Sequence, residues 1–384
     1  MSDIEPAEFD QIMDDAPQEK EVLAKQLAQQ VAAANRLINK MIPLDSWGED
    51  WWDEPIEPLP SLLVDKNDNP VIPRGEVGFI IAPGGTGKTK LLMQLVCSLA
   101  SGVPFQGSFK PKDNDGKILF FFGEEGVENI KRRFKQIHRS SKFTIDHRKM
   151  ISKNVILLPL KGFYANFLNT NVELYDRVEN QIIEVLEEVS KSGLIFSAVI
   201  LDPLARFLPE EAEVDNAKAT QFISICENFT KKEFGSPTVI LSHHVKKDSI
   251  RSVKIFSDAE DIDQDASRGA TGLTSGGRFV LSISTVKSEE WMENTSFYGC
   301  KILKTRHVKA NEMPYMEPLL SYFDDTGVIM PLSDDDLKEL KEAQEASLAK
   351  GNPKSAPTKT FQKRYGGGKG RQGATKKNDE YQCF

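Results

Sequence analysis

The stretch from Ile80 to Val96, IIAPGGTGKTKLLMQLV, constrains the fold more than any other part of the chain. An apolar run enters a glycine-rich loop, and a helical pattern starts at Lys88 with no spacer. Glycines let successive backbone N–H groups turn inward around an anion, and the helix start adds its positive dipole end. A lysine closing such a loop reaches the outer phosphates of a nucleotide, and the next hydroxyl serves Mg2+. Gly84, Gly85 and Gly87 supply the backbone, Lys88 the cation and Thr89 the metal ligand, with Pro83, Thr86 and Lys90 in the same loop. The usual pattern opens on glycine. Here Ala82 stands at that position, where the strand ends and a small side chain suffices.

The chain then repeats strand, loop and helix. EVGFIIA, KILFFFGEE, NVILLPL, FSAVILD and PTVILSHH are apolar runs that read as five strands. Helices are expected over 88–100, around 128–137 and around 217–232. A long helix after the third strand is expected to carry Val172, Tyr175, Val178, Ile182, Val185 and Val189 on one side. Strands apolar along their whole length are covered on both faces, so the expected fold is α/β with a mainly parallel central sheet. GGRFVLSIS and GCKILKTRHV read as two more strands, antiparallel, extending that sheet. The polar stretch 246–268 has no periodicity and reads as a mobile loop. A short helix is expected at SDDDLKEL, where Ser333 and Asp336 have capping-box spacing.

Three regions follow: an arm over 1–70, a core over 71–332 and a tail over 333–384. In the acidic arm, Leu23, Leu27, Val31, Ala34 and Ile38 make a narrow helical stripe suited to docking, and a Trp- and Pro-rich strap follows. Trp51 and Trp52 are expected to anchor packing. The basic, Gly-rich tail beyond Lys350 is expected to be disordered. An acidic N-terminus excludes a secretory or transit peptide, and no apolar run is long enough for a membrane helix. Cys97, Cys226, Cys300 and Cys383 form no CxxC pair, so the expectation is a cytoplasmic protein without a zinc site or disulfide framework. A net charge of −8 argues against a generally basic nucleic-acid coat while leaving room for a local basic channel.

Hydrolysis needs partners on neighbouring strands. Asp202, ending FSAVILD, is expected to hold Mg2+ or its waters. Glu124, after KILFFF, is placed to orient or deprotonate water, with Glu125 as the alternative. His243 and His244 end the fifth strand, and either has the position to hydrogen-bond a γ-phosphate.

Together with the loop from Ala82 to Thr89, GEE at 123–125, ILDPLARF at 200–207, LSHH at 241–244, ASRG at 266–269 and VKAN at 308–311 resemble RecA-type ATPases. The likeness covers about residues 70–330 and is strongest to the plasmid-encoded RepA-type hexameric replicative helicases, whose loop often begins with Ala. It implies a RecA-like core and an ATP site shared between subunits of a ring. It also implies Glu124 as catalytic base, Asp202 at the metal and His244 as γ-phosphate sensor. Arg278 matches the family's arginine finger and Lys309 a second cation acting on the neighbouring subunit, with Arg268 as a further choice. Strand-binding loops are implied after the fourth and fifth strands, giving Arg206, Lys246, Lys247, Arg251 and Lys254 as nucleic-acid contacts. Acidic residues in both loops count against tight binding.

The function implied is an ATP- and Mg2+-dependent helicase or translocase, a homo-oligomer (a hexamer by resemblance) acting on single-stranded or forked DNA. It would replicate a plasmid, phage or mobile element, with a replication initiator or primase as partner. The alternatives are a RecA-like single-strand-binding or recombination ATPase, and a regulatory ATP-binding module that does not unwind DNA. The basic tail adds strand affinity, tethers a partner or only solubilises.

Overall fold

The computed structural model describes residues 41–112, 114–141, 143–245, 253–257, 271–286, 288–310, 313 and 316–350. It divides into two units, Met1–Pro58 and Leu59–Phe384. In the first, two short 3-10 turns, Leu44–Trp47 and Glu49–Asp53, bring Trp47 and Trp52 against Trp51, with ring centroids 4.6 and 4.7 Å apart. The indole rings touch one another but stay exposed, Trp52 at 70%, so the expected anchoring role is not seen in this unit. The docking-helix stripe and the basic tail lie outside the described residues.

The second unit opens with β1 (Ser61–Val64) and β2 (Pro70–Pro73), followed by β3 (Val77–Ala82) and α1 (Lys88–Ser101). Next come β4 (Lys110–Pro111), β5 (Lys117–Phe122), α2 (Val127–Ser141), α3 (Ile145–Asn154) and β6 (Val155–Pro159). The chain continues through α4 (Val178–Lys191), β7 (Phe196–Asp202), α5 (Asn216–Asn228), β8 (Thr238–His244), α6 (Thr271–Gly276) and β9 (Phe279–Thr285). It closes with β10 (Ile302–Ala310), β11 (Leu319–Phe323), β12 (Ile329–Pro331) and α7 (Asp334–Lys350).

Among the described residues, nine strands form one sheet in the order β12-β11-β10-β9-β3-β8-β7-β5-β6, and β2-β1-β4 form a small second sheet. From β9 to β6 all neighbours are parallel, while β10, β11 and β12 add antiparallel pairs. The alternating side chains of each central strand enter two different cores. Ile80, Phe120 and Ile200 join the layer under α1 and α2, whereas Phe79, Phe121 and Leu201 join the layer under α4 and α5. Two-sided burial is why these strands are apolar at every position. An aromatic cluster strengthens the second layer: Phe167 stacks on Phe222 at 5.3 Å and meets Phe207 and Phe229 edge-on.

The expected α/β core with a mainly parallel central sheet is therefore present. Four readings are corrected. The strand after GGR is parallel to β3, because the crossover through α6 returns the chain to the same end of the sheet, and the antiparallel additions begin only at β10. Helix α4 begins at Val178, so Val172 and Tyr175 lie before it, exposed, and Val185 is exposed as well. Helix α3 was hidden in a polar stretch; Thr144 caps it, accepting from the His147 N–H at 3.2 Å while the His147 ring accepts from Thr144 N. Helix α7 is 17 residues long, and its capping box is formed: Asp336 N donates to Ser333 Oγ at 3.2 Å and Ser333 N to Asp336 Oδ2 at 2.7 Å.

Candidate nucleotide site

The parallel strands end side by side, and their ends build the site. In the ladder, Ala82 lies opposite His244 and Phe122 opposite Asp202. Strand β8 separates β3 from β7, which leaves lateral room between the glycine loop and Asp202. Ala82 is fully buried in the core layer under α1 and ends a regular strand, so its methyl costs nothing there. Positive φ is required only further on, at Gly85 (+72°) and Gly87 (+94°). A Cβ at Gly84 or Gly85 would meet no atom within 4 Å, so the loop's surface is open. Gly87 is different: a Cβ there would come 2.7 Å from Cζ of Phe323.

Lys88 is buried, and its ammonium donates to the His243 carbonyl at 2.8 Å and lies 3.4 Å from His244 Nδ1. Burial pushes its pKa down to about 8, against the opposing pull of the Asp202 and Glu124 carboxylates. Asp202 is 3% exposed; Ser242 Oγ donates to its Oδ1, and the Thr89 hydroxyl bonds it too. Burial raises the Asp202 pKa in spite of those bonds and Lys88.

A cavity of about 560 Å3 lies over the loop, lined by Lys88, Thr89, Glu124, Asp202 and His244 among others. Of the two histidines, His243 is buried and His244 reaches the cavity. Of the two glutamates, Glu125 is held by Arg133 of α2 at 2.5 Å, and Glu124 faces the cavity. Glu124 is half exposed and pairs with Arg206 Nε at 3.3 Å. Exposed pairs of this kind contribute about 0–1 kcal/mol and exchange readily.

Arg278 and Lys309 lie elsewhere. Arg278 N donates to the carbonyl of Val77, the first residue of β3, at the end of the strand opposite the glycine loop. Five residues of strand span about 17 Å, so neither cation reaches the phosphates of its own loop. Arg278 contacts Glu76 at 3.6 Å, and Lys309 Nζ donates to the Ser275 and Thr274 carbonyls at 2.6 and 3.3 Å. Burial lowers the Lys309 pKa, and Arg278 lowers it further. Lys254 is exposed beside the Val253–Val286 bridge; Lys246, Lys247, Arg251 and Arg268 lie outside the described residues.

The antiparallel extension adds a wall that the sequence reading missed. Lys301, just before β10, donates to the Gly85 carbonyl at 2.6 Å and lies 5.0 Å from the Phe323 ring centroid. Both residues line the cavity with Arg132, Arg133 and Gln136 of α2. The adjacent arginines after GEE were a readable signal. Lys301 carried none, because only the reversal of β10 and β11 brings it over the loop.

The residues fit a Mg2+–nucleotide. The donor set is one buried carboxylate and one hydroxyl beside a cationic, glycine-lined loop, the hard-oxygen pattern that Mg2+ shares with phosphates. Bound there, the nucleotide would supply the phosphoryl group and the metal its charge neutralisation.

The solved structures similar to this chain include the following two. A KaiC-like protein from the hyperthermophilic archaeon Pyrococcus horikoshii OT3 matches at 13% identity and a TM-score of 0.43, covering 73% of this chain and 100% of that one. The second, an ATPase domain, matches at 13% identity and a TM-score of 0.43, covering 68% of this chain and 86% of that one. Both likenesses are distant. A family model for the AAA domain matches residues 21–249, more than half of the chain and the whole run from the glycine loop through Glu124 and Asp202 to His244. With that match and a complete phosphate loop, the chain belongs to the AAA domain family of P-loop ATPases.

Proposed function

We propose that the protein is a Mg2+–ATP-driven motor that works as a homo-oligomeric ring on single-stranded or forked DNA, a helicase or translocase of the RepA-like kind. Its setting would be the replication of a plasmid, phage or mobile element, with initiation or priming supplied by partner proteins. The observation that carries this reading is the position of Arg278 and Lys309. They sit together at the sheet end opposite the phosphate loop, where they serve no phosphate of their own subunit. In a head-to-tail ring, that end of one subunit meets the nucleotide of the next, and the heterologous contact closes by rotation.

Within one subunit the geometry supports the following division of labour. Lys88 and the loop N–H groups hold the phosphates, and Thr89 and Asp202 hold the metal. Glu124 accepts the proton of an attacking water, and His244, in contact with Lys88, is placed to sense the outer phosphate. The cations from the neighbour complete the charge balance, a contribution that is large for arginine fingers.

The test is a mixing experiment. Arg278→Ala and Glu124→Gln are each expected to lose DNA-stimulated ATPase activity. Mixed, they should regain a fraction of it, because some interfaces then pair an intact finger with an intact base. No recovery on mixing, with both variants oligomeric, refutes the shared site. Stimulated ATPase without unwinding of a forked duplex would favour the recombination-type reading.

A further inference from the structure

Arg206 belongs to two places at once. Its Nε reaches Glu124 at the edge of the nucleotide cavity, and its side chain also lines a second hollow of about 310 Å3. The path of the Arg206 side chain toward Glu124 depends on a glycine. A Cβ at Gly123 would come 2.6 Å from Cγ of Arg206, so the arginine crosses the backbone where a glycine leaves space.

The second hollow lies between the segment following β6 and the segment following β7. Phe163 and Tyr164 form its rim and are 58% and 64% exposed. Two adjacent aromatic rings in water are an unfavourable arrangement unless something covers them. Tyr164 and Asn166 also line a neighbouring hollow of about 140 Å3, which Lys218 borders. Asn166 Oδ1 is buried without a hydrogen-bond partner among the described residues, an acceptor waiting for a donor. Exposed rings for stacking, an amide oxygen for a base N–H group, and Arg206 and Lys218 for phosphates match the chemistry of single-stranded nucleic acid.

We infer that these hollows bind successive nucleotides of a single strand, with bases against Phe163 and Tyr164 and a phosphate on Arg206. A phosphate competing for Arg206 draws it off Glu124, so that strand binding frees the base for hydrolysis. The inference rests on the nucleic-acid motor reading and deepens it: Arg206 becomes the positioning residue that links strand to turnover.

The experiment uses full-length protein with Mg2+, a non-hydrolysable ATP analogue and fluorescent oligo(dT). Stacking of one base is commonly worth about fivefold to more than a hundredfold in affinity, so Phe163→Ala/Tyr164→Ala should bind at least about tenfold more weakly. Oligonucleotides carrying 5-iododeoxyuridine should photocross-link to wild type within residues 160–172, a readout that needs no variant to fold. In Arg206→Gln, hydrolysis without DNA should rise and stimulation by DNA should fall, by up to about fivefold, the most that an exposed pair of this kind accounts for. A double variant that binds DNA as tightly as wild type, with wild type cross-linking elsewhere, overturns the inference and leaves the motor reading standing. Stimulation unchanged in Arg206→Gln overturns the link to Glu124. A double variant that alters oligomer size but not DNA affinity assigns the rings to a second copy and also overturns it. Wild type that binds no single strand refutes both readings.

Discussion

Lys88 is buried where it must be charged to hold a nucleotide, and its pKa of about 8 sets a pH dependence that can be worked through. In the nucleotide-free protein the ammonium loses its proton as pH rises through that value. A bound polyphosphate holds the proton on, so above about pH 8 binding must take one up. The apparent dissociation constant then scales as one plus ten to the power of pH minus pKa. From about pH 7.5 to about pH 9 this amounts to roughly an eightfold weakening, a little over 1 kcal/mol. Lys90 and Lys301, the other amines on the cavity, are displaced downward by burial too and reinforce the sign.

Folding stability runs the other way. The unfolded chain, with its lysine near 10.5, binds more protons than the folded one between about 8 and 10.5, so this residue's contribution rises with pH across that window. Weaker nucleotide binding therefore cannot be put down to Lys88 unfolding the protein. Titration of a fluorescent ATP analogue across the range measures the affinity. Calorimetry in buffers of different ionisation enthalpy counts the proton. An affinity constant within twofold up to about pH 9, or the same proton uptake in Lys88→Met, would refute the argument.

Two further predictions concern the elements that frame the site. Gly87→Ala places a side chain in the left-handed region, at a cost of about 1–2 kcal/mol, and against Phe323. It should lower the melting temperature and weaken nucleotide binding; Phe323→Leu should recover only the part due to overlap, and an unchanged melting temperature would show that Phe323 does not press on the loop. Ser333→Ala removes the cap of α7 and should cost about 1 kcal/mol, seen as faster amide exchange in its first turn, and protection equal to wild type would refute the cap's role.

The glycine loop, the five apolar strand runs and the carboxylates that close two of them were legible because each depends on local pattern. Glycines before a lysine and a hydroxyl, and strands apolar along their length, leave a signature within a few residues. Helix α3 was not legible, since its polar, weakly amphipathic sequence offers a cap but little periodic stripe. Helix α4 was overextended because Val172 and Tyr175 continue its spacing without being buried. Periodicity reports which residues would share a face, not which face the fold covers.

What the amino-acid sequence determined by itself was a phosphate loop between strand and helix, a parallel two-sided sheet, and carboxylates at the strand ends. Short-range chemistry writes all three into contiguous residues. Only the tertiary structure decided that Glu124 and not Glu125 faces the cavity, and that Arg206 is its partner. Tertiary structure also brought Lys301 and Phe323 over the loop and set Arg278 and Lys309 at the far end of the sheet. Those outcomes depend on strand order and direction. Contacts between residues tens to hundreds of positions apart are set by how the layers pack, and no local spacing encodes them.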